Sequence, residues 1–256
     1  EYDEGKTPAG ADVTVADLAQ ADANLTTLNA LSRLPFSRSL PPASEAVFSA
    51  RGLVETIARR LQRLQVCAQR GPDDSALARF LNESFVPAFD ALSRWCQTRY
   101  TRAHQSFEDE LPVAARTLSP SDFGFHNALR RTDGRLVFYD FEHFGWDDPA
   151  KTIADFVLHP AMGLGEDLKR RFVGRMLEAF PGDARLRWRL ETLYPLFGLK
   201  WCVILLNEFV PEDLERRTFA ADMALDLAGV QQRQLEKAAA MFAHVQRTSE
   251  RFPYAD

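Results

Sequence analysis

The sequence predicts a mostly helical α+β protein with one small β-hairpin near its middle. Three observations carry that expectation. Apolar side chains recur at helical spacing over most of the chain, and residues 111–155 switch to β-branched and aromatic alternation around an Asp133-Gly134 turn. The 256 residues are 46% hydrophobic and 26% charged, an ordinary globular composition with enough apolar surface for a core.

Taken in order, Val13 to Leu34 has Thr14 as an N-cap and apolar positions at Val15, Leu18, Leu25, Leu28 and Leu31, so it reads as one or two helices ending at Pro35. After a Pro-containing loop, Ser44-Glu45 opens a helix with Val47, Val54, Ile57, Leu61 and Leu64 on one side. Gly71-Pro72-Asp73-Asp74 is a break, and Ser75 starts a long pattern that Pro87 kinks or divides. These three segments are expected to form a bundle. Asn127–Arg131 and Arg135–Tyr139 flank Thr132-Asp133-Gly134, a hairpin signal. Asp148-Pro149 fits an N-cap with Pro at N1, and further helices are expected over Glu166–Phe180, Arg185–Phe209 and Pro211–Gln246.

The net charge of −5 leaves no global basic field for a nucleic-acid backbone. The three cysteines are far apart in apolar or amphipathic stretches and read as buried thiols of a reducing compartment. The first residues show neither a basic nor an apolar signal region, so a cytoplasmic location is expected. Leu193–Val210 is the most apolar run, but Pro195, Lys200, Asn207 and Glu208 interrupt it. It suits a buried helix and no membrane association is expected.

Chemistry concentrates in Leu118–Asn127 and in Phe138-Tyr139-Asp140-Phe141-Glu142. If the hairpin closes at Asp133-Gly134, Asn127 and Asp140 fall at its open end on adjacent strands, under about 5 Å apart. One amide and one carboxylate oxygen converging there suit a hard cation such as Mg²⁺. Asp122, in a loop held by Gly124, is placed to accept a proton from a hydroxyl nucleophile. Together they make half of a phosphoryl-transfer site: a base that orients the acceptor and a metal that screens phosphate charge.

Asp122 with Asn127 five residues on and Asp140-Phe141 thirteen beyond, followed by Gly145-Trp146-Asp147-Asp148-Pro149, resembles the aminoglycoside phosphotransferase and choline kinase group. That group shares the protein-kinase-like fold, whose order of catalytic Asp, metal-binding Asn and Asp-Phe-Gly Asp is the same. The resemblance implies that Asp122 is the catalytic base and that Asn127 and Asp140 bind Mg²⁺ with ATP or another nucleoside triphosphate. It implies transfer of the γ-phosphoryl group to a hydroxyl of a small molecule such as a sugar, aminocyclitol or amino alcohol. It covers the chain only as a C-terminal lobe: residues 1–10 resemble the hinge and residues 11–256 the helical lobe. No phosphate-binding Gly-rich pattern occurs, so an N-terminal lobe on the same or another chain is the expected partner.

Two positions depart from the family pattern. Pro120 stands where a His usually precedes the catalytic Asp by two, and Thr152 where an Asp commonly follows the Gly-Asp-Pro, with Asp155 a turn later as a substitute. They motivate the alternative of a catalytically silent kinase-like binding module. Strand alternation points His126 away from whatever Asn127 faces, which makes it structural. His104, His159 and His244 read as isolated. The basic runs 169–171 and 185–189 read as solvated faces. Asp147, Asp148, Asp155, Glu208, Glu212 and Asp213 read either as an acidic acceptor pocket or as helix N-terminal charges.

Overall fold

The Asp133-Gly134 turn does close the hairpin. In a computed structural model, which describes residues 5–70, 75–212 and 226–254, β3 (Ala128–Arg131) pairs antiparallel with β4 (Leu136–Phe138), Ala128 opposite Phe138. Gly134 sits at φ +83°, where glycine has no steric cost. Two pairings are additional to the sequence expectation. β1 (Gly5–Lys6) adds to β3, giving the order β1-β3-β4, and β2 (Thr117–Ser119) pairs with β5 (Gly145–Asp147) in a separate ribbon. Of the hinge-like segment, residues 1–4 lie outside the described residues.

The chain divides into two units. The first takes 5–49, 109–191 and 253–254 of the described residues and holds both sheets, α1 (Val15–Leu31), α5 (Pro149–Leu158) and α6 (Glu166–Ala179). α1 starts as expected: the Thr14 hydroxyl accepts from the Asp17 amide at 3.2 Å and Asp17 reaches back to the Thr14 amide at 2.8 Å, a reciprocal cap. The buried positions Leu18, Ala21 and Leu25 pack the helix against α6 and β2. α1 therefore belongs with the sheets, which corrects the expected three-segment bundle. It also carries the hairpin. Arg130 donates to both oxygens of Asp17 at 2.9 and 2.6 Å, and Gln20 holds the turn by donating to the Gly134 carbonyl and accepting from the Leu136 amide.

The second unit takes 50–70, 75–108, 192–212 and 226–252 and is helical: α2 (Ala50–Gln69), α3 (Ala76–Arg79), α4 (Val86–Arg102), α8 (Leu227–Thr248) and most of α7 (Leu186–Leu205), whose residues 186–191 count with the first unit. α2 begins at Ala50, not at the expected Ser44. Glu45 is left-handed at φ +52°, and the Val47 amide and Phe48 carbonyl are bound by the Asp147 carboxylate and the Leu111 amide, so 44–49 cannot coil. Ser75 caps α3 as expected, and a π-helical turn, Phe80–Phe85, precedes Pro87 near the start of α4, where its missing N–H is harmless. α7 is the expected buried helix. Gly198 leaves no room for a Cβ against Val245 of α8, and Phe80 meets Phe242 edge-on at 5.8 Å. Cys96 and Cys202 are buried, Cys67 is half-buried and none of the three forms a disulfide. The break at 71–74 and most of the expected helix before Leu227 lie outside the described residues. Among the described residues no helix is long and apolar enough to cross a membrane.

Candidate active site

β2 delivers the chain to the candidate catalytic loop. Pro120 leads into Ser121, left-handed at φ +69°, whose amide donates to Ser119 Oγ at 3.1 Å and whose hydroxyl donates to the Ser44 carbonyl at 2.7 Å. Phe123 and Phe125 are buried and stack around Phe156 of α5, with Phe123 also 4.7 Å from Phe138 of the hairpin. These anchors turn Asp122 outward; its side chain is 46% exposed, open to a ligand. A Cβ on Gly124 would lie 2.6 Å from the His126 ring and 2.8 Å from Met162 Sδ, so only glycine fits at that position.

Three side chains grip Asp122. His126 Nε2 lies 3.0 Å from Oδ1, Asn127 Nδ2 donates to the Asp122 carbonyl at 3.0 Å and approaches Oδ2 at 3.4 Å, and His159 Nε2 is 3.5 Å from Oδ1. The Ala161 amide donates to His159 Nδ1 at 3.2 Å, which places the His159 proton on Nε2, facing the carboxylate. Burial pushes the Asp122 carboxyl up. The His126 hydrogen bond, the electrostatic attraction of His126 and His159 and the Asn127 bond outweigh it and hold the group below the ordinary carboxylate value.

The expectation for His126 is thus corrected. Residues Phe125–Asn127 form a 3₁₀ turn, so strand alternation does not apply, and His126 and Asn127 both reach Asp122. His159, expected to be isolated, stacks on His126 with ring centroids 3.8 Å apart and planes within 2°. The only sequence signal for it would have been proximity to α5, since it terminates that helix. Asp122, His126 and His159 bring ligand atoms within 4.8 Å of one another. Parallel stacked imidazoles nevertheless keep their ring-plane lone pairs parallel, and two Nε2 atoms so disposed cannot both meet one ion at about 2.0–2.1 Å. The trio is a braced carboxylate.

Asn127 and Asp140 do fall at the open end of the hairpin. The Tyr139 amide donates to the Asn127 carbonyl at 3.0 Å, extending the ladder by one pair, and Asp140 follows at φ +63°. Because the Asn127 amide nitrogen faces Asp122, its Oδ1 is left for another partner. The Asp140 carboxylate is exposed and accepts no hydrogen bond among the described residues. Two uncommitted hard oxygens at one end of a hairpin are a donor set that fits Mg²⁺.

The acidic residues expected as alternative pocket walls are mostly committed elsewhere. Asp147 is fully buried and accepts from Lys151 Nζ at 2.7 Å and from the Val47 and Asp148 amides. Asp148 caps α5 through the Ala150 amide and takes a two-pronged contact from Arg189, which also reaches Asp183 at 2.8 Å. Arg189 is buried, which corrects its placement on a solvated face. Asp155 lies 3.4 Å from Lys151 Nζ. Glu208 is buried in the second unit, Glu212 pairs with Arg63 at 3.8 Å, and Asp213 lies outside the described residues. His244, expected to be isolated, bonds the Tyr194 hydroxyl at 3.1 Å. Thr152, where the family pattern has Asp, is buried with its hydroxyl 3.2 Å from Ser119 Oγ and so ties α5 to the base of the loop.

Neither a family model nor a curated protein matches the sequence. Solved structures do match. A choline kinase from Cryptosporidium parvum superposes with a TM-score of 0.59 at 11% identity over 98% of this chain and 70% of the enzyme. An ethanolamine kinase from Plasmodium vivax gives 0.55 at 13% over 96% and 65%, and a choline/ethanolamine kinase family protein from Mesorhizobium loti gives 0.51 at 14% over 95% and 72%. At these identities the likeness is one of fold: the chain has the helical α+β, kinase-like fold of small-molecule kinases, as the motif spacing implied.

Proposed function

We propose that this chain is the helical lobe of a small-molecule kinase. Asp122 orients a hydroxyl acceptor and takes its proton, and Asn127 and Asp140 hold the Mg²⁺ of ATP or another nucleoside triphosphate. The observation that carries the reading is the placement of an exposed, braced carboxylate in the same turn as Asn127, whose free Oδ1 shares the end of the hairpin with an uncommitted Asp140. A carboxylate held below its ordinary pKa is ionised at neutral pH. It aligns the attacking oxygen by accepting its hydrogen bond and receives the proton as the bond to phosphorus forms, which suits a loose phosphoryl-transfer transition state. His126 and His159 fix the direction of that carboxylate and supply the bracing for which the family pattern uses the position of Pro120. Mg²⁺ bound by Asn127 and Asp140 would screen the charge of the phosphates. Nucleotide coverage comes from an N-terminal lobe of the same or another chain, in keeping with the 65 to 72% of the neighbours' length that the chain spans.

The test is Mg²⁺-dependent ATP turnover by the full-length protein over a panel of amino alcohols, aminocyclitols and sugars. Asp122→Asn should abolish turnover and Asp140→Asn should lower it at least about a hundredfold, while His159→Gln should reduce kcat about tenfold at unchanged KM. Turnover that survives Asp140→Asn overturns the metal assignment. Absence of metal-dependent nucleotide binding overturns the kinase reading in favour of a silent module.

A further inference from the structure

The first unit contains a cavity of about 740 Å³, a size typical of small-molecule sites, that the phosphotransferase reading does not use. Val113, Ala114 and Arg116, which precede β2, line it together with Trp146 of β5, whereas Asp122 follows the end of β2. No residue of the Asp122, Asn127 and Asp140 constellation lines it.

Its aromatic walls are fixed. Trp146 Nε1 donates to the Ser37 carbonyl at 2.9 Å, the Ser37 hydroxyl is within hydrogen-bond distance of the Ser32 and Leu34 carbonyls, and Phe48 is covered by the Arg116 guanidinium at 3.9 Å. Arg116 is itself committed, to the Leu111 carbonyl and to Glu110. Two further arginines of the lining, Arg33 and Arg38, are exposed and form no ion pair among the described residues. The lining holds three arginines and no carboxylate, although the chain as a whole carries 36 acidic against 31 basic residues. Leu34 and Val113 leave apolar surface exposed at 46% and 65%.

A preformed cavity with aromatic walls, apolar edges and two uncommitted guanidinium groups is complementary to a ligand with a flat apolar body and an anionic head. We infer that this cavity is a binding site for an aromatic organic anion, a carboxylate or sulfonate, with Arg33 and Arg38 taking the charge and Trp146 and Phe48 the ring. This inference does not depend on the kinase reading.

The probe is anilinonaphthalenesulfonate, followed by fluorescence and by calorimetry on the folded full-length protein. Saturable one-to-one binding is expected, weakened at least about tenfold in Arg33→Gln/Arg38→Gln and by Val113→Trp, which fills the cavity from its edge. Neutral phenylnaphthylamine should bind at least about tenfold more weakly. Neither arginine side chain forms a hydrogen bond or ion pair among the described residues, so the double variant should keep the wild-type unfolding midpoint. Non-saturable binding, equal affinity in the double variant, equal affinity for the neutral probe or indifference to Val113→Trp each overturns the assignment.

Discussion

Asp22, on the buried face of α1, illustrates how a single carboxyl can act against the fold it belongs to. Among the described residues its one cationic neighbour is Arg175, an exposed side chain at 2.7 Å, and neither carboxylate oxygen has an aligned hydrogen bond. Burial outweighs the attraction of Arg175 and raises the group from 3.8 to about 6. The sign follows from linkage. Between pH 4 and 6 the native state holds this proton and the unfolded state does not, so stability falls as pH rises through that window and the loss is complete above it. Asp22→Asn should therefore stabilise the protein at pH 7, on the order of 1–3 kcal/mol given a shift near two pKa units, and change little at pH 4. Urea unfolding at the two pH values checks this, and equal stabilisation at both would mean that Asp22 is not the titrating group. Asp122 works in the opposite sense: its lowered pKa contributes stability that is present above its unfolded value and lost as pH falls through the folded one.

Among the helices, α5 is the element on which the Asp122 loop rests. Every residue from Pro149 to Leu158 is buried, so the helix has no solvated face and its charges must be paired inside. Lys151 lies between Asp147 and Asp155; burial opposes its charge, but the two carboxylates more than compensate and raise its pKa. Lys151→Met keeps the volume and removes the cation, leaving two buried carboxylates uncompensated, and should cost about 3–5 kcal/mol. Denaturant unfolding measures it; a loss below about 1 kcal/mol would show that the pair is not coupled to folding. The start of α5 was legible because Asp-Pro is local cap chemistry, and so was the Asp-Gly hairpin. β1, β2 and β5 were not, because two or three residues are too few for a periodicity and their partners are distant in sequence. The false helix start at Ser44 has the same origin: the hydrogen bonds from the Val47 amide to the Asp147 carboxylate and from the Leu111 amide to the Phe48 carbonyl override a reasonable local signal.

At the scale of the whole molecule, spacing anticipated that Asn127 and Asp140 share the open end of the hairpin with Asp122 in the turn before it, because a turn and a hairpin carry all three and both are short-range structures. What spacing could not supply is the bracing of the loop. His159 meets Asp122 only because α5 brings its C-terminal end back to the loop, and Arg189 meets Asp148 only through α7. The groups that stabilise the fold are accordingly distinct from those of the proposed site. The folded state depends on buried apolar side chains and on the ion pairs of Lys151 and Arg189, whereas the exposed Asp140 carboxylate forms no hydrogen bond or ion pair among the described residues and sits in a left-handed conformation that asparagine also tolerates. Asp140→Asn should therefore shift stability by no more than about 0.5 kcal/mol, which for a chain of this size is an unfolding midpoint within about 2 °C of wild type. Metal chelation should leave the midpoint equally unchanged, since the donor set lies outside the packed core. The same substitution should remove the Mg²⁺-dependent part of nucleotide binding, measured by titration with Mg-ATP. A large loss of thermal stability in Asp140→Asn, with nucleotide binding unaffected, would make Asp140 a residue of the fold and not of the site.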